Sequence, residues 1–91
     1  MNNKTDQLVI ERRSMTLKHL IELVRAENAS LINILGTPVV ELRDHHATRR
    51  IIVSNIVFER DRVKEKQSDG REKIYLVSPL KLLRSACSGS P

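Results

Sequence analysis

Leu17, Leu20, Ile21 and Val24 recur at i, i+3, i+4 and i+7, the spacing of one apolar face on an amphipathic helix. Lys18, Glu22 and Arg25 fall on the opposite side, and Ser14 or Thr16 offers an N-cap, so a helix is predicted from Met15 to Glu27. Asn28 can stop it. A second short apolar segment, Leu31-Ile32-Asn33-Ile34-Leu35, is closed by Gly36 and Pro38, and the spacing predicts a second short helix paired with the first. Ahead of both, Leu8, Val9 and Ile10 end in Glu11-Arg12-Arg13 and read as an edge strand or a disordered arm, with disorder expected for residues 1–6.

After Pro38 the period changes. Val39, Val40 and Leu42 lead into the polar run Arg43-Asp44-His45-His46, which reads as a strand followed by a loop. Ile51 to Phe58 is the most β-prone stretch, because branched Ile and Val pack well on a pleated surface. A single strand there shows Ile51, Val53 and Val57 on one face and Ile52, Ile56 and Phe58 on the other. With both faces apolar in so small a chain, helices cover one side and a second copy covers the other. Ile52, Ile56 and Phe58 are thus the expected partner or dimer interface.

Next comes the mixed-charge run Glu59 to Lys66, then Ser68-Asp69-Gly70, then Lys73 to Val77. Asp-Gly tolerates positive φ and marks a turn, which predicts a long, solvated, charged β-hairpin. Ser78-Pro79 places a cap before a proline at the first helical position, so Leu80, Leu82 and Leu83 belong to a closing helix. The fold class expected is α+β: an N-terminal helix pair, an antiparallel three-stranded meander with the long charged hairpin, and a short C-terminal helix. Residues 1–13 form a flexible or edge-strand arm, 14–84 a single domain and 85–91 a flexible tail. In an alternative drawing, residues 44–60 make a helix with Asp44 as its cap. The result is a winged helix that puts Arg49 and Arg50 on a recognition helix.

Composition narrows the chemistry. The chain has 91 residues, of which 40% are hydrophobic but only 2% aromatic, so the core is aliphatic and thin. Phe58 and Tyr75 cannot build a base-stacking platform for single-stranded nucleic acid. The net charge is +5, concentrated in residues 61–91, where seven basic groups meet four acidic ones. Such a bias permits contact with phosphates or with an acidic partner. One cysteine, Cys87, forms no intramolecular disulfide, and no signal-peptide pattern or membrane-length apolar run is present, so a cytoplasmic location without membrane contact is expected.

Candidate chemistry then reduces to cations and apolar strands. No Gly-rich phosphate loop or nucleophile motif appears, no cofactor is implied, and an enzyme is not expected. His45-His46 beside Asp44 would need distant His19 and Cys87 to complete a zinc site, so no metal is expected. Arg60, Arg62, Lys64, Lys66, Arg71 and Lys73 along the hairpin, with Arg49 and Arg50, could follow the phosphates of duplex DNA. The leading expectation is a small regulatory DNA-binding protein, a homo-oligomer. The alternative is an adaptor or inhibitor that docks on a protein through an apolar strand or a sheet edge.

Overall fold

The computed structural model describes residues 7–87. Among them, seven strands and two helices follow one another as β1 (Gln7–Arg13), α1 (Leu17–Ala26), β2 (Ser30–Ile34), β3 (Thr37–Arg43), β4 (Ala47–Val53), β5 (Ile56–Phe58), β6 (Val63–Lys66), β7 (Glu72–Tyr75) and α2 (Pro79–Cys87). The strands make two sheets, one of order β1-β4-β3-β2 and one of order β5-β6-β7. β1 runs parallel to β4, and the other pairings are antiparallel. The chain is α+β, but there is no N-terminal helix pair, and a strand precedes the first helix. The disorder expected for residues 1–6 lies outside the described residues.

α1 begins where Thr16 accepts a hydrogen bond from the amide of His19 at 3.0 Å. It ends in two backbone bonds, Ala29 N to Val24 O at 2.9 Å and Asn28 N to Arg25 O at 3.3 Å, with Asn28 left-handed at φ 51°. These bonds make a Schellman motif, in which asparagine is the next best residue after glycine. The segment that follows is therefore released from helical geometry. Leu31 and Ile32 pair with Val40 and Val39 as strand β2, and this corrects the second helix. Five residues are too few to repay helix nucleation, whereas Ile32 and Ile34 suit a ladder already offered by β3. The hairpin turns on Leu35 and Gly36, both at positive φ, a type I′ turn.

The single strand expected over Ile51–Phe58 is also corrected. A turn at Ser54-Asn55 divides it, so that β4 closes the first sheet and β5 opens the second. This break replaces the single meander by two sheets and resets the facing: Ile56 (2% exposed) and Phe58 (4%) join Ile51 and Val53 in the core, while Val57 faces out. The winged-helix drawing fails for the same residues, because Ala47–Val53 pair on both sides, with β1 and with β3. A strand central to a sheet suits the run of branched side chains that a helix would crowd.

One cluster joins the elements: Leu17, Leu20 and Val24 of α1, Leu31, Val40, Ile51 and Val53 of the first sheet, and Ile56, Phe58 and Val63 of the second. Leu82 and Leu83 of α2 pack against it. Ile32, Val39 and Ile52 lie outside the cluster, and the register places them on the opposite face of the first sheet. No helix among the described residues is long and apolar enough to cross a membrane.

Candidate functional site

The expected DNA-contacting cations do not form one surface. Arg49 and Arg50 alternate to opposite faces of β4, as the two-residue period of a strand requires. Arg49 donates to Glu11 on β1 at 2.9 Å, and Arg50 donates to Glu41 on β3 at 3.0 Å. In the second sheet, Arg60 and Arg62 lie in the β5–β6 connection and Arg71 in the β6–β7 turn, at opposite ends of β6. Lys64 and Lys66 share one face of β6, while Lys73 pairs with Glu65 on the other. Arg62 meets Glu59 and Asp61, Lys64 meets Glu59 at 3.1 Å, and Arg71 meets Asp69 at 3.6 Å. Lys73 sits 5.2 Å from the centre of the Tyr75 ring. The β6–β7 hairpin, which carries Lys64, Lys66, Arg71 and Lys73 but not Arg60 or Arg62, has only four residues in each strand, with Gly70 at φ 89° in its turn.

The three residues expected at a partner interface separate. Ile56 and Phe58 are core, and Ile52 alone lies on the outer face of the first sheet. Among the described residues, no group of three or more His, Cys, Asp or Glu is placed to hold a metal ion.

A cleft of about 510 Å³ opens where the β1–α1 junction meets the end of β6. At its base Glu65 is buried, with only 3% of its surface exposed, although its sequence neighbourhood reads as a solvated charge run. Its Oε1 accepts the Leu17 amide at 2.9 Å and the Tyr75 hydroxyl at 3.1 Å. Asn55 clamps the same junction, accepting from Met15 N at 2.9 Å and donating to Met15 O and Lys66 O. These groups satisfy one another and the first turn of α1, which lacks intrahelical partners for its N–H groups. The cleft's polar floor is occupied in holding helix to hairpin. No signal in the sequence separates Glu65 from Glu59; only the tertiary arrangement does.

No protein-family model, curated protein or solved structure matches the chain.

The outer edge of β1 has a different character. Leu8, Val9 and Ile10 are 53%, 43% and 55% exposed, so both faces of this strand show apolar side chains to solvent. Gln7 N donates to His46 O at 3.2 Å and Arg13 O accepts from Ser54 N at 3.0 Å, which fixes the phase of the parallel ladder. Odd-numbered residues bond to β4; the N–H and C=O groups of Leu8, Ile10 and Arg12 therefore point away from the sheet. Among the described residues no strand pairs with them. The edge of the other sheet at β7 is shorter and carries Glu72 and Lys73, the charge by which sheet edges are commonly blunted. At the opposite edge of the first sheet, β2 is packed by α2.

β1 is anchored from behind by charge. The Glu11 carboxylate receives Arg49 at 2.9 Å and Arg13 at 2.7 Å. The hydrogen bond from Arg49, then that from Arg13, holds its carboxyl below the ordinary value of 4.5. The anchor fixes the strand to β4 while leaving its outer edge exposed.

Proposed function

We propose that this chain is a small protein-binding module that presents the free edge of β1 to a strand of another chain. The observation that carries the reading is the coincidence, at Leu8–Ile10, of outward backbone donors and acceptors with exposed branched apolar side chains. Added strands gain affinity from such main-chain groups and selectivity from the alternating side chains. A bare apolar edge also invites aggregation, so a chain that keeps one uncharged over three residues has a use for it. The single cysteine suits a reducing compartment, and we place the module in the cytoplasm.

Proline tests the reading, because the Ile10 N–H points away from β4. Ile10→Pro removes an outward donor and leaves the β1–β4 ladder its hydrogen bonds. The tagged full chain is passed through a cell lysate, and the proteins retained, its own untagged copies included, are compared with those retained by Ile10→Pro at matched unfolding midpoint. Loss of binding is the expected result. Equal retention by both overturns the reading.

A second reading, contact with duplex DNA through the hairpin, is favoured by the net charge of +5. It is favoured too by Arg60, Lys66 and Lys73, which make no ion pair among the described residues. It requires affinity for duplex DNA that falls steeply with salt. Binding insensitive to salt counts against it.

A further inference from the structure

We infer that the strand received by the edge of β1 is β1 of a second copy of this chain, paired antiparallel about a two-fold axis through Val9. The inference rests on the edge-pairing reading above and names its partner.

Two observations agree on that axis. The first is the sequence Gln7-Leu8-Val9-Ile10-Glu11, which is palindromic in character about Val9. Antiparallel self-pairing centred there sets Leu8 opposite the partner copy's Ile10, Val9 opposite Val9, and the Gln7 amide opposite a Glu11 carboxylate. Every apolar residue meets an apolar one, and the one acid meets a hydrogen-bond donor. Moving the centre to Ile10 instead sets Val9 opposite Glu11 and Leu8 opposite Arg12, which buries apolar groups against charges.

The second is the phase of the backbone. A two-fold through Val9 makes Leu8 and Ile10 the pair that exchanges both N–H···O bonds, and it leaves Val9 as the non-hydrogen-bonded pair. Leu8 and Ile10 are the residues whose N–H and C=O groups point outward, because Val9 is committed to β4. A sheet continuing through this axis keeps α1 of both copies on one side, since an axis perpendicular to the sheet preserves its faces. Four exposed side chains, Leu8 and Ile10 from each of the two copies, then gather on the other side.

The register is testable by cross-linking in a Cys87→Ser background. Across a non-hydrogen-bonded pair the Val9 Cα atoms stand about 4.5 Å apart, within disulfide reach. The two Ile10 Cα atoms are diagonal at about 7–8 Å, beyond that reach. Under mild oxidation, Val9→Cys is expected to give a covalent dimer and Ile10→Cys to remain mostly uncross-linked. Sedimentation of the wild-type chain should give twice the 10.4 kDa of one chain at high concentration. Ile10→Lys should weaken that association by about a hundredfold, from the lost apolar burial at two symmetric positions. A wild-type chain that is monomeric at hundreds of micromolar overturns the inference, and so does faster cross-linking through Ile10→Cys than through Val9→Cys. The edge reading fails separately: a monomer whose capture of another protein is abolished by Ile10→Pro keeps the edge and loses the self-pairing, whereas a monomer whose capture ignores Ile10→Pro loses both.

Discussion

The carboxylate of Glu65 accepts the backbone amide of Leu17, 48 residues earlier in the chain, at 2.9 Å in a buried setting. One bond thus ties the first turn of α1 to the hairpin strand β6, and the Tyr75 hydroxyl joins it from β7. Glu65→Ala leaves both donors without a partner. Each buried orphan costs about 1–3 kcal/mol, so the loss of unfolding free energy should be about 2–4 kcal/mol. Glu65→Gln keeps an acceptor and should lose less than half as much, and Tyr75→Phe about 1 kcal/mol. Urea denaturation measures all three; an alanine variant as stable as the wild type would show that the bond contributes nothing net.

Adjacent residues of β5 should respond oppositely to the same change. Ile56 is 2% exposed, and Ile56→Asp buries a charge in an apolar cluster, at a cost of several kcal/mol that a domain of this size does not survive. Val57 is 48% exposed, and Val57→Asp should shift stability by no more than about 0.5 kcal/mol. Circular dichroism and thermal melts separate the two outcomes. Loss of structure in both would place Val57 inside the fold.

Leu35 is fully exposed at φ 50°, a left-handed conformation costly to a leucine, at the tip of the β2–β3 hairpin. Asparagine tolerates that region, and Leu35→Asn should stabilise the chain by about 1 kcal/mol. A destabilised variant would mean that the leucine contributes through contacts at the tip rather than merely tolerating its turn.

Glu11 gives the anchor of β1 a pH dependence. Its carboxyl lies below the ordinary value of 4.5 in the folded chain, chiefly through the hydrogen bond from Arg49. The folded state therefore binds this proton less readily than the unfolded one. The stabilisation is fully present above pH 4.5 and is lost as pH falls through the lowered folded value. Because the group is partly exposed, the effect is small. Arg49→Gln should raise the Glu11 value toward 4.5, read by NMR titration of its side-chain carboxyl, and Glu11→Gln should remove that increment from the acid limb of stability.

Much of this was legible in the residues. The α1 face at Leu17, Leu20 and Val24, the stop at Asn28, the Asp69-Gly70 turn and the Ser78-Pro79 start all act through neighbours within a few positions. What was not legible depends on residues far apart. Leu31–Leu35 is too short for periodicity to separate helix from strand, and it is a strand because Val39 and Val40 lie opposite. The Ser54-Asn55 break carries no Gly or Pro. It becomes necessary only because Asn55 bonds Met15 and Lys66 across the junction. The carboxylates interleaved among the hairpin cations are visible in the sequence; the split facing that sets Lys73 apart from Lys64 and Lys66 is fixed only once the strands are paired. Leu8–Ile10 was readable as a strand, but that it lies at the end of the sheet, with no strand on its outer side among the described residues, follows only from the strand order.

Amide hydrogen exchange along β1 tests the central claim most directly. In the dilute free chain, Val9 and Glu11 should be protected by β4 while Leu8 and Ile10 exchange quickly. In the associated state, with its own copy or with a captured protein, Leu8 and Ile10 should become protected and Val9 and Glu11 remain so. If Leu8 and Ile10 exchange as fast in the bound state as in the free one, the edge of β1 is not where this protein binds.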